Sequence, residues 1–267
     1  MDPYRDVVSH YEDRYDEHTR LEADAVGRLE LIRTRLLLDR FLPDPPATIL
    51  DVGGGPGVYA AELTEAGYDV ELIDIVPRHI RQATERGVRA QLGDARELSV
   101  ADDTQDAVLL LGPLYHLQDR NDRIAALREA KRVARPGAPV FAAAISRYAP
   151  AIDGLDSGFF DDPAFAGLLE VVTATGRHVN PTGNPDYFTT AYFHLPDDLR
   201  TEATEAGLER VEVFAIEGIG WVADDLDDRL DDEPSRDKLL KLLEQLETEP
   251  ALLGASPHLL AVGFKGR

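Results

Sequence analysis

The sequence has no cysteine at all, and among its 267 residues there are only four lysines and one tryptophan. The absence of cysteine excludes disulfides, thiol nucleophiles and thiolate zinc sites. No apolar run approaches the ~20 residues of a membrane-spanning helix, and the acidic, polar N-terminus is unlike a signal peptide. We therefore expect a cytoplasmic protein without a membrane partner. A chain of this length buries a sizeable core on its own, so it needs no structural metal and we expect none.

Positive charge is also scarce. Twenty-eight basic residues stand against 50 acidic ones, 30 of them aspartate, for a net charge of −22. Such a surface repels a phosphate backbone, which argues against a nucleic-acid partner and leaves a small-molecule substrate as the expectation. Two explanations of the acidic excess stay open: adaptation to high salt, which screens the repulsion, and GC-rich coding. A monomer and a homodimer both fit this composition.

What the sequence does contain is a regular alternation of strand and helix patterns. Apolar spacing predicts a helix over residues 4–42, which the prolines of "LPDPPAT" end. Five apolar strands follow, separated by helices, and two more lie near the C-terminus. They are expected in "TILDVG", "DVELIDI", "VRAQLGDA", "QDAVLLLGPL", "APVFAAAIS", "LERVEVFAIEG" and "HLLAVGFK". This rhythm predicts a doubly wound, mostly parallel seven-stranded Rossmann-like α/β sheet.

The alternation stops between residues 147 and 194, where an aromatic run, "DYFTTAYFH", replaces it. We interpret this stretch as a cap inserted over the active site. The predicted organisation is a helical lid at 1–42, a core formed by 43–146 together with 195–267, and the cap at 147–194.

A glycine-rich loop follows the first predicted strand in "ILDVGGGPGVYA", residues 49–60. Within it "GPGVYA" fits the dinucleotide fingerprint G-x-G-x-x-A, with Asp74 near the distance of a ribose-binding acid. However, Asp51 comes directly before the loop, and its carboxylate would repel a pyrophosphate. The same carboxylate suits an ammonium or sulfonium cation. The loop thus predicts a cationic, amino-acid-like ligand, with an NAD(P)-dependent oxidoreductase as the alternative.

Over about residues 45–146 and the closing strands, the sequence resembles the class I S-adenosylmethionine-dependent methyltransferases. "LDVGGGPG" is similar to the family's D-x-G-x-G-x-G motif, "GDA" to its adenine-site motif, and "RVARPGAPVFAAAI" to its turn into strand five. Ala138 stands where that turn usually has a second glycine. The resemblance implies S-adenosylmethionine as cofactor, with S-adenosylhomocysteine as product.

The resemblance also implies roles for individual positions. Asp74 would bind the ribose hydroxyls, and Asp94 would lie near the adenine amino group beside the amide of Ala95. The core cofactor set is then Asp51, Gly53, Gly55, Gly57, Asp74, Ile75, Asp94, Ala95 and Leu111. The N-terminal helix would add Tyr11, Tyr15 and Arg20 as a cover over the cofactor, although simple packing of these tyrosines explains them equally well.

The loop "GPLYHL" after the fourth strand would place Tyr115 and His116 beside the transferred methyl group. A base assists methylation of a protonated nucleophile, and histidine is the usual one. His116 is therefore the leading candidate base and His194 the second. The alternative for His116 is that it caps a helix or forms a hydrogen bond with the N-terminal segment.

The cap contributes the remaining candidates. Arg147, His178 and Tyr192, with Tyr115, are expected to bind the acceptor, and core packing is the competing explanation. "LGPL" after strand four does not match the N/D-P-P-Y/F motif of nucleic-acid amino methyltransferases, which again favours a small acceptor. The acceptor atom, whether N, O, C or S, stays open. A non-catalytic S-adenosylmethionine-binding protein is the other alternative, because binding motifs alone do not prove an acceptor site.

Overall fold

The computed structural model describes residues 3–13 and 17–267. Nine strands are assigned within these residues. They are β1 Thr48–Val52, β2 Asp69–Asp74, β3 Arg89–Leu92, β4 Ala107–Leu110, β5 Pro139–Ile145, β6 Arg177–His178, β7 Ala191–Tyr192, β8 Leu208–Ala215 and β9 His258–Lys265. The α-helices are α1 Pro3–Asp13, α2 Arg20–Ala23, α3 Ala25–Phe41, α4 Val58–Glu65, α5 Pro77–Glu85, α6 Arg120–Val133, α7 Ala149–Asp156, α8 Pro163–Thr175, α9 Pro196–Glu205, α10 Leu226–Asp231 and α11 Glu233–Leu246.

Seven strands form one central sheet in the order β3-β2-β1-β4-β5-β9-β8. Neighbours from β3 to β5 are parallel, whereas β9 is antiparallel to both β5 and β8. The predicted mostly parallel seven-stranded sheet is confirmed. Because these strands are parallel, the loops after β1, β2, β3 and β4 meet at one edge of the sheet. The strand order reverses at β1, and this is the usual place for a ligand in such folds.

Helices cover both faces of this sheet. Apolar side chains of α3, α4 and α5 pack on one face, and those of α6 and α9 pack on the other. Val108, Leu110 and Val140 point toward the α6 side, whereas Leu109 and Phe141 point toward α3, as the alternation of side chains along a strand requires. None of the helices in the described ranges has the length and apolar character needed to cross a bilayer.

The N-terminal helix departs from the expectation. The prediction of one helix over 4–42 is wrong, because α1, α2 and α3 are separate. Asp24 is extended, with φ −147° and ψ 175°, and its carboxylate accepts a hydrogen bond from the Gly27 amide at 2.8 Å. Asp24 therefore caps a new helix, α3, as aspartate often does. Helix α2 packs closely on α3, since a methyl group at Gly27 would lie 2.7 Å from the Arg20 carbonyl oxygen.

Residues 147–194 leave the sheet at the end of β5 and return to it before α9. The backbone amide of Arg147 donates to the His194 carbonyl at 2.8 Å, and the His194 amide donates to the Ile145 carbonyl at 2.8 Å. The two ends of the segment thus lie side by side. Between them come α7, α8 and the small antiparallel pair of β6 and β7.

Candidate active site

A cavity opens at the edge where the parallel strands end. Its walls come from the loops after β1, β2, β3 and β4, from α1 to α3, and from the ends of β5, β8 and β9. It encloses about 1290 Å³ of space, including its opening to solvent. Its lining runs across the sheet from the loop after β3 to the loop after β8, which gives the cavity two ends.

The glycine loop forms one wall of the cavity. Gly53 and Gly55 have φ of +69° and +57°, a left-handed conformation that glycine adopts without strain. A methyl group at Gly54 would lie 2.3 Å from Oδ2 of Asp51. Only a loop without side chains can fold this closely over the carboxylate. Gly57, by contrast, does not line the cavity: a methyl group there would lie 3.0 Å from the Ala83 Cβ, so this glycine lets α4 pack on α5.

Asp51 itself is a buried carboxylate that the protein leaves unpaired. It is 1% exposed, and neither oxygen has a hydrogen-bond partner among the described residues. Burial, with a smaller contribution from the nearby charge of Asp74, raises the pKa of Asp51 to about 7. Because buried polar groups normally have partners, this carboxylate is suited to a positively charged ligand that supplies one.

Asp74 ends β2 on the same edge. Its Oδ2 accepts from the Gly55 amide at 2.9 Å, and its Oδ1 accepts from the Val76 amide at 2.8 Å. Nδ1 of His79 lies 3.2 Å from Oδ1. These bonds fix the carboxylate while leaving lone pairs that can accept from ligand hydroxyls.

The other predicted cofactor positions follow the edge in order. Ile75 comes after β2, Asp94 and Ala95 after β3, and Leu111 after β4; all four line the cavity. Asp94 is ion-paired with Arg96 at 2.8 Å. The structure thus brings these residues together with Asp51 and Asp74.

Residues of the N-terminal segment close the cavity from above. Tyr11 and Arg20 line it, whereas Tyr15 lies outside the described residues. Nη1 and Nη2 of Arg20 donate to the two oxygens of Glu30 at 2.6 and 2.9 Å, and Nε donates to Glu17 at 2.6 Å. Arg20 is therefore held by carboxylates and is not free to bind an anion on its own.

Tyr115 and His116 both line the cavity, as expected. Nε2 of His116 lies 3.0 Å from the Tyr11 hydroxyl, and Nδ1 lies 3.4 Å from the Thr190 carbonyl oxygen. Burial lowers the pKa of His116 to about 4. Burial also raises the pKa of Tyr115, so its hydroxyl stays protonated. At neutral pH His116 is thus an uncharged ring with both nitrogens engaged.

The structure does not bring His194, the second candidate base, to the cavity. Its side chain is completely buried, with Nε2 3.3 Å from the Glu202 carboxylate. The same carboxylate accepts from Arg123 at 2.6 and 2.8 Å. Burial lowers the pKa of His194. His194, Glu202 and Arg123 thus form a buried ion-pair cluster away from the cavity.

The three acceptor-binding candidates from the inserted segment also lie outside the cavity walls. Arg147 donates to Asp198 at 2.9 Å and to the Tyr192 hydroxyl at 3.1 Å. His178 has Nε2 2.7 Å from the Tyr187 carbonyl oxygen. The Tyr192 ring lies 3.6 Å under the Arg123 guanidinium. These side chains hold the segment together and anchor it to α9.

Sequence reasoning missed the second half of the cavity. There Tyr59 and Thr34 line the wall with Glu30, and His258 enters from the start of β9. Glu217 follows β8 just as Asp51 and Asp74 occupy the ends of their strands. The rule that identified those acids, a carboxylate at a strand end, would also have identified Glu217 in "FAIEG".

Glu30, Glu217 and His258 form a buried cluster at this end. One atom from each lies within 4.8 Å of the others, a spacing that could surround a cation. However, both oxygens of Glu30 accept from Arg20, and Oε1 of Glu217 pairs with Nδ1 of His258 at 2.6 Å. The cluster is therefore closed by its own ion pairs. Next to His258 and Arg20, the pKa of Glu30 falls to about 2 despite its burial.

Comparison with known proteins agrees with this geometry. A family model described as "Methyltransferase domain" matches residues 49–137. The demethylmenaquinone methyltransferase of Corynebacterium urealyticum is 30% identical over 195 residues, covering 73% of this chain and 76% of that protein. The Corynebacterium glutamicum enzyme of the same name is 28% identical over 223 residues, covering 82% and 86%.

Solved structures share the fold. A SAM-dependent methyltransferase from Thermotoga maritima superposes with a TM-score of 0.60 at 17% identity, covering 98% of this chain and 99% of that one. A phosphoethanolamine N-methyltransferase from Haemonchus contortus, solved with S-adenosylhomocysteine, superposes with a TM-score of 0.59 at 14% identity. The match covers 99% of this chain and 60% of that one. The protein is an S-adenosylmethionine-dependent methyltransferase. With its seven-stranded sheet, its glycine loop and these relatives, the chain belongs to the class I S-adenosylmethionine-dependent methyltransferases.

Proposed function

We propose that the half of the cavity over β1, β2 and β3 binds S-adenosylmethionine, and that the half over β5 and β9 binds the acceptor. The observation that carries this division is the unpaired, buried carboxylate of Asp51 beneath the glycine loop. When bound, the cofactor supplies a methyl group on a positively charged sulfur. Asp51 compensates positive charge on the cofactor, and an anionic dinucleotide would gain nothing from it.

The remaining contacts follow from the edge of the sheet. Asp74 accepts from the ribose hydroxyls, while Asp94 and the Ala95 amide hold the adenine. Gly53 and Gly55 let the cofactor approach the backbone closely. Ile75 and Leu111 pack on either side of it, and Tyr11 and Arg20 cover it from α1 and α2. In this arrangement His116, Tyr115 and the loop that carries them separate the two halves.

We assign the three parts of the chain different roles around this cavity. The helical segment 1–42 serves as a lid, 43–146 with 195–267 forms the core, and 147–194 is a cap. The cap acts through main-chain contacts with the loop after β4, because Gln118 donates to the His178 and Ala191 carbonyls at 2.7 and 3.1 Å. None of the cap's described residues lines the cavity, so the cap shields the reaction from water through this loop and not as a wall of the cavity.

Calorimetric titration with S-adenosylmethionine, S-adenosylhomocysteine and NAD tests the cofactor half. Asp51→Asn and Asp74→Asn should each weaken the binding of S-adenosylmethionine and S-adenosylhomocysteine by about 1.5–3 kcal/mol, the contribution of a charge-assisted hydrogen bond. Asp102→Asn, which changes an exposed acid paired with Arg132, provides the matched control. Affinity for NAD above that for S-adenosylmethionine would contradict the proposal.

The part of the acceptor that receives the methyl group fits inside the cavity, and the −22 net charge argues against nucleic acid. The name of the sequence relatives makes reduced demethylmenaquinone the first acceptor to assay. Release of S-adenosylhomocysteine should be screened with this quinol, with simple phenols and with primary amines. Turnover of a tRNA or protein pool that exceeds turnover of every small acceptor would contradict a small-molecule role.

A further inference from the structure

His258 is placed in the acceptor half with one nitrogen fixed and the other available. It begins β9, and its ring lines the cavity with 21% of the side chain exposed. Nδ1 lies 2.6 Å from Oε1 of Glu217. Nε2 has no hydrogen-bond partner among the described residues. Because the two nitrogens lie on opposite edges of the ring, the edge that carries Nε2 faces away from Glu217, which does not line the cavity.

Glu217 is itself fixed before any ligand binds. It is 0% exposed, and its Oε2 accepts from the Ser256 hydroxyl at 2.9 Å and from the His258 amide at 3.0 Å. Such a carboxylate sets the tautomer of the ring, with the proton on Nδ1, and stabilises the imidazolium that forms when Nε2 gains a proton. Base and orienting carboxylate together make the arrangement that activates nucleophiles in many enzymes.

The position of His258 in the sheet suits contact with an acceptor. β9 lies next to β5, which lies next to β4, on the opposite side of β1 from β2 and β3. Ala143 of β5 and Ile216, directly after β8, form apolar parts of the same wall. An acceptor on this wall would lie between His258 and the cofactor half.

We propose that His258 is the proton acceptor of the methyl transfer, with Glu217 as its positioning residue. The substrate class is then a small molecule with a protic nucleophile, a hydroxyl or an amine, or a ring carbon activated by a conjugated hydroxyl. This deepens the proposed function and rests on it. The transfer forms the bond from the acceptor to the methyl carbon and breaks the sulfur–methyl bond, whose electron pair stays on sulfur. The acceptor's proton moves to Nε2 and then to solvent.

The charges around His258 determine the pH range of this step. Glu217 faces it from the loop after β8, Glu30 from α3 with an oxygen 3.6 Å from Nδ1, and Arg20 from α2. The two carboxylates outweigh both the burial of the ring and the charge of Arg20, and they raise the pKa of His258 to about 9. Nε2 is therefore a strong proton acceptor, and the fraction of rings able to act grows as pH rises toward 9.

The first test needs no acceptor. Imidazole ¹⁵N signals of the full chain, assigned with His258→Gln, should give His258 a pKa well above the ordinary 6.5 of histidine. Above that pKa the ring should carry its proton on Nδ1. Glu217→Gln should lower the pKa toward 6.5. A neutral ring with its proton on Nε2, or a pKa at or below 6.5, would overturn the proposal.

The second test follows turnover with whichever acceptor releases S-adenosylhomocysteine fastest in the quinol, phenol and amine screen. His258→Gln should lower kcat by ~10²–10⁴ and remove its rise with pH. Its affinity for S-adenosylhomocysteine should stay that of the wild type, which shows that the fold is intact. His258→Ala should regain turnover with added imidazole. Wild-type turnover in His258→Gln would overturn the assignment of His258, whereas failure of the wild type to bind S-adenosylmethionine would overturn the proposed function itself.

Discussion

The hydroxyl of Tyr11 lies 3.0 Å from Nε2 of His116, although 105 residues separate them in the chain. On the other edge of the ring, Nδ1 faces the Thr190 carbonyl oxygen at 3.4 Å. A carbonyl only accepts, so Nδ1 carries the proton and Nε2 accepts from Tyr11. One imidazole thereby joins α1, the loop after β4 and the segment 147–194.

Tyr11→Phe removes one hydrogen bond from this junction and should cost about 0.5–1.5 kcal/mol. Amide exchange over residues 3–13 should become faster, because peripheral elements have the lowest local stability. Affinity for S-adenosylmethionine should fall by up to roughly tenfold. Tyr68→Phe is the matched control, since it loses a hydrogen bond of 2.9 Å to the Pro43 carbonyl away from the cavity. Equal exchange in both variants would show that Tyr11 does not hold α1 in place.

His116→Ala should behave as the loss of a connecting residue. We expect weaker binding of S-adenosylmethionine and a kcat within about one order of magnitude of the wild type. The pH dependence of kcat should stay as in the wild type, because a ring with a pKa of about 4 and an occupied Nε2 is a poor base at neutral pH. Initial rates over a range of pH, with calorimetry for the cofactor, decide this. A fall of ~10²–10⁴ in kcat with unchanged cofactor affinity would instead identify His116 as the base.

The pKa of Asp51 predicts a proton-linked cofactor affinity. Burial holds this pKa at about 7 in the free protein, so below that pH the carboxyl is protonated and neutral. A cationic ligand favours the ionised form and displaces the proton. The association constant for S-adenosylmethionine should therefore rise with pH through about 7 and level off above it. Calorimetry in buffers of different ionisation enthalpy measures the released proton directly.

Asp51→Asn provides the comparison for this titration. It keeps the size of the side chain, removes the charge, and should leave an affinity that is lower and nearly independent of pH between 5 and 8. A wild-type affinity without pH dependence, together with normal binding by Asp51→Asn, would show that this carboxylate does not contact the cofactor's positive charge.

Local sequence patterns were sufficient for the central sheet and for bringing the acidic residues at its strand ends to one edge. The strand–helix rhythm determines the order of elements, and the strand ends determine where Asp51, Asp74 and Asp94 meet, because parallel strands share one edge. The glycine pattern predicted the loop but not the separate role of Gly57, which packs on Ala83 and does not line the cavity.

The acceptor half could not be predicted in the same way. Aromatic and histidine residues within 147–194 look alike in the sequence whether they line a cavity or fill a small core. Only tertiary contacts show that His178 and Tyr192 are used by the segment itself. His258 and Glu217 were overlooked because they lie at the start of β9 and just after β8, the two strands at the far end of the sheet, where the family resemblance implies no motif.

The excess of acidic residues predicts that salt stabilises the protein. With 50 acidic and 28 basic residues, even complete pairing leaves 22 negative charges without a partner. Many ion pairs that do form are exposed, such as Arg200 with Asp197, and pairs of this kind contribute only about 0–1 kcal/mol each. Screening therefore removes more repulsion than attraction. The Debye length falls from about 10 Å at 0.1 M to about 3 Å at 1 M. Most of the increase in the stability of the folded protein should therefore occur in this range.

Thermal unfolding followed from about 0.01 M to 1 M sodium chloride measures this effect. Tm should rise steadily as the Debye length shortens. Sucrose at matched osmolality is the control, because it stabilises compact states by exclusion without screening charge.

Replacing Asp227, Asp228 and Asp231 of α10 by asparagine should raise Tm at low salt and flatten the dependence of Tm on salt, since the mutual repulsion of these carboxylates is then gone. The Arg28 pairs with Asp227 and Asp231 are exposed on the aspartate side, so their loss costs little. A Tm that stays constant or falls between 0.01 M and 1 M salt would mean that the carboxylates are already well separated, and that GC-rich coding suffices to explain their number.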